Sequence, residues 1–263
     1  MLRRHWRADT LTPIWQVRRP DGVADSVVFD PLVAPETIAG LCGPVDVVLG
    51  LAGVVPGSGD LSQNASLGHA ALQIGAATGA KRVFLASSAA VYGRSDLPLR
   101  EDTPPRPANP YGMAKAEMEQ KVRAAAKAGD IDLTVLRIGN VAGADALLAQ
   151  PGTGRVLDRF PDGQGPRRSY IGPRALADVL AHLMLRAADG QTVPDVLNIA
   201  LPGAVGMDAL CAAAGLTVSW RKAPDTALPV VELDVTALQA LLPLPTAAAH
   251  AIIADWRSDK ALS

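Results

Sequence analysis

Arg82-Val-Phe-Leu-Ala-Ser-Ser-Ala-Ala-Val-Tyr-Gly93 is an apolar run that ends abruptly in two hydroxyls and a turn. Its core does not alternate with polar residues, so the strand it predicts must be covered on both faces. That is the pattern of a parallel sheet flanked by helices. In open sheets of this kind ligands sit beyond the carboxyl ends of the strands. Ser87 and Ser88 fall at that edge. Two serines closing a strand are equally good turn formers, so position alone leaves both readings open.

Working outward, similar β-branched runs predict strands over 13–18, 26–29, 45–51, 133–137 and 196–199. Alanine- and leucine-rich stretches predict helices over 66–78, 111–128 and 174–188. This succession gives an α/β fold, a Rossmann-like doubly wound parallel sheet. Beyond residue 143 the pattern loosens into Gly/Pro-punctuated loops. The reading is therefore an α/β domain over 1–143 and mainly a small C-terminal lobe over 144–263, with the strand near 196–200 returning to the main sheet.

Composition narrows the function. The 263 residues are 49% hydrophobic and only 19% charged, enough for a substantial core. Twenty-five basic against 26 acidic residues give a net charge of -1, without the basic footprint of a nucleic-acid binder. Cys42 and Cys211 are too few and too far apart for a disulfide framework or a zinc site, and are read as small core hydrophobes. No two of the four histidines have metal-ligand spacing on one helix, so no metal is expected. No apolar run reaches about eighteen residues, and Met1-Leu-Arg-Arg-His-Trp6 has no apolar core of a signal peptide. A soluble cytoplasmic protein with no membrane partner is expected.

The sharpest chemistry lies in Asn109-Pro-Tyr-Gly-Met-Ala-Lys115. Tyr111 and Lys115 are four apart at the start of a strongly helical stretch and share one face. An ammonium beside a phenol favours the phenolate, bringing the tyrosine towards acid–base use. The same spacing also occurs on ordinary solvated helices.

Taken together, Ser87-Ser-Ala-Ala-Val-Tyr-Gly and Asn109-Pro-Tyr-Gly-Met-Ala-Lys resemble the extended short-chain dehydrogenases/reductases, in particular their NAD-dependent epimerase/dehydratase branch. Asp46-Val-Val-Leu-Gly-Leu-Ala-Gly53, Asn64, Leu136-Arg-Ile-Gly-Asn-Val-Ala-Gly143, Arg168-Ser-Tyr-Ile171 and Asn198-Ile199 are similar to further elements of that family. The resemblance implies an NAD(P)-dependent enzyme acting on a hydroxyl or carbonyl carbon of a small molecule, most simply a nucleotide sugar, as an epimerase or oxidoreductase. Ser88, Tyr111 and Lys115 would be catalytic: Ser88 bonding the reacting oxygen, Tyr111 exchanging the proton, Lys115 holding the cofactor ribose and tuning Tyr111. Asn140 and Arg168 would join Ser88 in binding substrate. Leu51, Ala52 and Gly53 would line the cofactor, and Asp30 and Leu32 would meet its adenine. The helices over 66–78 and 111–128 resemble the pair that forms the family's homodimer.

Departures refine this. Ala89 and Ala90 stand where the family's 4,6-dehydratases carry Asp-Glu, which argues against dehydration. Arg18 and Arg19 close the strand over 13–18 where an acidic residue would select NAD; two guanidinium groups suit a 2′-phosphate and tilt the expectation to NADP. An NADPH-dependent carbonyl reductase and a non-catalytic dinucleotide-sensing member are the rival readings. Finally, no Gly-rich strand-turn precedes Leu2-Arg-Arg-His-Trp6, which looks like the second half of the family's first helix. The glycines at 50, 53, 57 and 59 follow a later strand and are interrupted by Pro56. The expectation is that roughly 15–25 residues of strand, turn and half-helix are missing from the front, leaving strand edges near 14–17 and 47–51 unpaired and dinucleotide binding weak.

Overall fold

The computed structural model describes residues 1–6, 11–20, 22 and 26–261. In chain order the elements are α1 (Leu2–His5), β1 (Trp15–Val17), β2 (Ser26–Val28), α2 (Ile38–Cys42), β3 (Val47–Gly50), α3 (Gln63–Thr78), β4 (Arg82–Ser88), α4 (Pro110–Ala128), β5 (Leu133–Ile138) and β6 (Asn140–Val141). There follow β7 (Gly154–Arg159), β8 (Arg167–Ile171), α5 (Pro173–Ala188), β9 (Val196–Ile199), β10 (Ala204–Gly206), α6 (Met207–Ala214), β11 (Thr217–Lys222), β12 (Val230–Val231), α7 (Thr236–Gln239) and α8 (Ala249–Ala261).

The main sheet runs β3-β4-β5-β9, all parallel. Period-two alternation sends neighbouring residues to opposite faces. Val83, Leu85 and Val135 pack under α3 and α4 with Leu72, Met118 and Val122. Phe84 and Leu136 face the other way, into a core shared with Leu180 and Leu183 of α5. The strands are covered on both sides, which is why they read as unbroken apolar runs. The fold is Rossmann-like.

Glycine sets how closely the layers approach. A Cβ on Gly50 would lie 2.6 Å from Leu85 Cδ2, and one on Gly75 only 2.4 Å from Val83 Cγ2. Neither position has room for a side chain.

Beyond residue 143 the chain is far more regular than its Gly/Pro content predicted. β8 pairs with β10, β12 and β6, while β7 pairs with β11, so five strands lie where loops were expected. They are short and polar-flanked, held by partners distant in sequence rather than by local propensity. Leu157, Leu210 and Ile252 from this part belong to the same buried cluster as Leu136 and Phe84. The hydrophobic core therefore runs unbroken past residue 143.

At the other end, β1 pairs in parallel only with β2, as a separate two-stranded ribbon. Among the described residues the outer edge of β3 has no strand partner. Cys211 is fully buried as expected. Cys42 is not: it is half-exposed in the short α2, with its thiol turned back to the Ile38 carbonyl.

Candidate active site

Two interior strands and one helix build the site. β4 ends at Ser88, whose Oγ accepts from Ala90 N at 3.2 Å and so starts the tight turn Ala89–Val91. Helix α4 starts at Pro110, with Asn109 Oδ1 accepting from Gly112 N at 2.9 Å as its cap. A Cβ on Gly112 would fall 2.2 Å from the Ala90 carbonyl oxygen. This glycine lets the helix start lie directly on the turn after Ser88. The contact brings Tyr111 beside Ser88, whose hydroxyl lies near enough to act on the phenol.

Lys115 is buried, 4% exposed, one turn along the same helix. Its Nζ donates to the Ala86 carbonyl at 3.0 Å. The backbone at Gly53 runs beside it: a Cβ there would lie 3.1 Å from Lys115 Nζ and 3.1 Å from Asn64 Oδ1. Asn64, itself buried, clips this loop by accepting from Val54 N and donating to the Val54 and Leu61 carbonyls. Leu51 and Ala52 are exposed on the approach to it.

The electrostatics differ from the expectation in one respect. Burial pushes the Tyr111 phenol above its ordinary value, with the Ser88 hydroxyl pulling the other way. The Lys115 amine is spent on the Ala86 carbonyl, and burial is the larger influence on the phenol. Burial also brings Lys115 down to about 8, against the opposing charge of Glu119.

The remaining expected residues lie elsewhere. Asn140 on β6 sits opposite Tyr170 of β8, whose phenol donates to Asp145 at 2.5 Å. Arg168 spends its guanidinium on the carbonyls of Arg167, Leu228 and Pro229. Asp30 accepts from Leu32 N in a local turn, and Leu32 lines a cavity of about 380 Å³ with Ser66, His69 and Lys121. Arg18 and Arg19 are exposed just past β1. A larger cleft of about 820 Å³ is lined by Arg94, Arg159, Phe160, Trp220 and Lys222, with the Arg159 guanidinium 4.7 Å from the Trp220 ring centroid.

Under the cluster lies a buried polar network that the motifs did not name. Glu119 receives Ser87 Oγ at 2.5 Å and a bidentate Arg137 at 2.8 and 3.1 Å. Arg137 also donates to the Tyr92 phenol at 2.9 Å, and Tyr92 donates to Asn198 Oδ1 at 2.7 Å. A signal existed: Arg137 interrupts the apolar Leu133-Thr-Val-Leu-Arg-Ile138, and a charge in a covered strand must find a partner.

A parallel sheet clothed on both faces, with a serine, a tyrosine and a lysine gathered at the carboxyl end of an interior strand, defines a Rossmann-like protein of the short-chain dehydrogenase/reductase kind. The chain belongs to the NAD dependent epimerase/dehydratase family, which it matches over residues 45–200. It is 47% identical over 68 residues to a UDP-glucose 4-epimerase of Azospirillum brasilense, a match covering 26% of this chain and 20% of that protein. The chain thus matches about a fifth of the length of that curated relative. In three dimensions it resembles the UDP-glucose 4-epimerase of Brucella ovis in complex with NAD (TM-score 0.74, 20% identity, 89% of this chain and 84% of that one). It also resembles a dTDP-glucose 4,6-dehydratase of Streptomyces venezuelae (TM-score 0.68, 18% identity, 92% and 82%). At these identities the likeness is one of fold.

Proposed function

We propose that the protein interconverts epimers of a nucleotide sugar by reversible oxidation of a ring hydroxyl, with Ser88, Tyr111 and Lys115 as the reacting cluster. The observation that carries this reading is the placing of Tyr111 beside Ser88 at the end of β4, with the Lys115 amine one turn along against the bare backbone of Gly53. Gly53, Lys115 and Tyr111 suit the nicotinamide-ribose end of the dinucleotide: a bare backbone segment beside a buried ammonium and a phenol. When bound, that cofactor supplies the hydride acceptor and donor.

The chain's own part is proton handling and orientation. Ser88 Oγ and Tyr111 Oη together grip the reacting oxygen. Tyr111 takes its proton as the carbonyl forms and returns one as the hydroxyl is restored. A buried phenol does this poorly while its pKa is raised. Swinging Lys115 Nζ from the Ala86 carbonyl towards the ribose side would set a positive charge near the phenol and reverse that effect. Ala89 and Ala90 offer no carboxyl group next to Ser88, which supports epimerisation over loss of water. The cationic cleft with its Arg159–Trp220 stack suits a nucleobase and phosphates. The matched curated relatives, epimerases of UDP-glucose and UDP-arabinose, support the same substrate class.

The test offers UDP-galactose and UDP-arabinose to the purified protein with NAD and follows epimer formation. Tyr111→Phe is expected to lower turnover at least about a hundredfold with folding intact. Wild-type turnover in that variant would remove Tyr111 from the mechanism. Arg18 and Arg19 support a second reading, reduction of a free carbonyl with NADPH. Net NADPH consumption, lost on removing both guanidinium groups, would favour it. Self-association through the outer faces of α3 and α4 completes the proposal, and sizing of the purified chain checks it.

A further inference from the structure

Helix α4 carries a third group on the stripe of Tyr111 and Lys115. Glu119 is one further turn along, 3% exposed, between the helix and the strands β4 and β5. We propose that Glu119 is a positioning residue for the reacting cluster: it locks the end of β4 to α4 through Ser87 and supplies the fixed negative charge that keeps Lys115 an ammonium. This rests on the reading of Ser88, Tyr111 and Lys115 given above.

The geometry ties β4, β5 and α4 to one carboxylate. Ser87 Oγ donates to Glu119 Oε1 at 2.5 Å, and Ser87 is the residue before Ser88. Arg137, opposite Ser87 in the register of β5, closes the other side at 2.8–3.1 Å. Through its second amino group Arg137 reaches Tyr92 and the Glu101 carbonyl, so the turn leaving Ser88 is held as well. Tyr92 passes the chain to Asn198 on β9. Stability alone does not require such an arrangement. A buried ion pair costs desolvation that a well-packed apolar pair avoids, and replacing one by hydrophobic residues is often neutral or stabilising. What an apolar pair cannot do is fix a strand end to a fraction of an ångström, or place a charge.

That charge acts on Lys115. The groups facing its amine are Glu119 and the Met118 sulfur on its own helix, the Ala86 carbonyl on β4, and Asn64 with the Gly53 backbone on the α3 side. Glu119 is the charged neighbour that favours the ammonium, while burial opposes it. Arg137, behind Glu119, keeps that carboxylate paired. With Lys115 at about 8, removal of the supporting charge brings its titration into the neutral range. The lysine would then be partly neutral just where Tyr111 needs a cation.

The experiment reads Lys115 directly, by ε-¹³C-lysine NMR across pH, with Lys115→Arg assigning the signal. The wild-type midpoint is expected near 8. Glu119→Gln should move it down by roughly one unit, and the alkaline limb of kcat/KM should follow. Ser87→Ala, which cuts the strand tie but leaves the carboxylate, should lower kcat several-fold with the midpoint in place. Because Glu119→Gln could unfold the protein, the charge-free Glu119→Leu/Arg137→Met pair serves as its companion; it should fold and lower the midpoint by a smaller amount, because the Arg137 charge leaves with the carboxylate. A folded variant of either kind with the wild-type midpoint overturns the electrostatic role. Unchanged kcat in Ser87→Ala overturns the positional one. An inactive wild type with the predicted midpoints would instead sink the epimerase reading and leave the charge relationship standing.

Discussion

Gly68→Ala tests whether the α3–α4 contact sets the position of the reacting helix. In a helix interior alanine is favoured over glycine by about 1 kcal/mol, so local propensity predicts a gain. The structure predicts a loss. A Cβ at Gly68 would stand 2.7 Å from Val122 Cγ1 and 3.1 Å from Met118 Cγ. Ordinary carbon–carbon contact is about 3.6 Å, so the overlap with Val122 is about 0.9 Å. Val122 is 1% exposed and β-branched, held to one rotamer in a helix, so it cannot turn away. Overpacking of this kind costs about 1–3 kcal/mol. Taking about 2 for the strain and about 1 for the helix gain, we expect a net destabilisation of about 1 kcal/mol in urea unfolding. Gly40→Ala is the control: Gly40 is exposed in α2 with nothing within 4 Å of its Cβ position, and should gain about 0.5–1 kcal/mol. Relief by outward movement of α4 would displace Met118, three residues past Lys115. A misplacement near 1 Å can cost about a hundredfold in rate, so turnover should fall at least about tenfold. A Gly68→Ala protein as stable and active as the parent would show that the helices slide apart freely, and the packing argument would fail.

Tyr92→Phe removes a hydroxyl that accepts from Arg137 and donates to Asn198, leaving Asn198 Oδ1 unpaired in a site with 0% exposure. The expected loss is about 2–3 kcal/mol; a urea midpoint shift equivalent to less than about 0.5 would contradict it. Asp259 joins α8 to α1, accepting from Arg4 at 2.9 and 3.0 Å and from His5 at 3.1 Å. Burial alone would raise its pKa, but the bonds and charge of Arg4, with the amino terminus and His5, hold it below its ordinary value. A carboxyl with a depressed folded pKa adds stability above its unfolded value near 4 and loses it as pH falls through the folded one. Asp259→Asn should therefore cost about 1 kcal/mol at pH 7, discounted for the part-exposed Arg4, and the gap should close below about pH 4. Parallel unfolding curves with a constant gap down to pH 3 would remove Asp259 from the acid transition.

Much of the architecture was legible because its signals are local. The strands over 82–88 and 133–138 are covered on both faces, and an apolar run with no alternation can mean little else when helices separate the runs. The stretch 111–128 reads as a helix by composition, so Tyr111 and Lys115, four apart, could be set on one face before any coordinates. Residues 154–171 and 204–231 could not be read that way. Their strands are polar-flanked and short, and pairings such as Ser169 with Ala204 or Trp220 with Leu157 join segments tens of residues apart.

The sequence by itself determined which groups could react and on which elements they ride, because helix and strand periods depend only on residues near one another in the chain. Tertiary structure alone decided what those groups feel. It turned Lys115 to the Ala86 carbonyl, raised the Tyr111 phenol by burial, spent Arg168 on backbone carbonyls and set Glu119 between Ser87 and Arg137. Desolvation and charge proximity are sums over everything within a few ångströms in space, and at this site those neighbours come from α3, β4, α4 and β5 together.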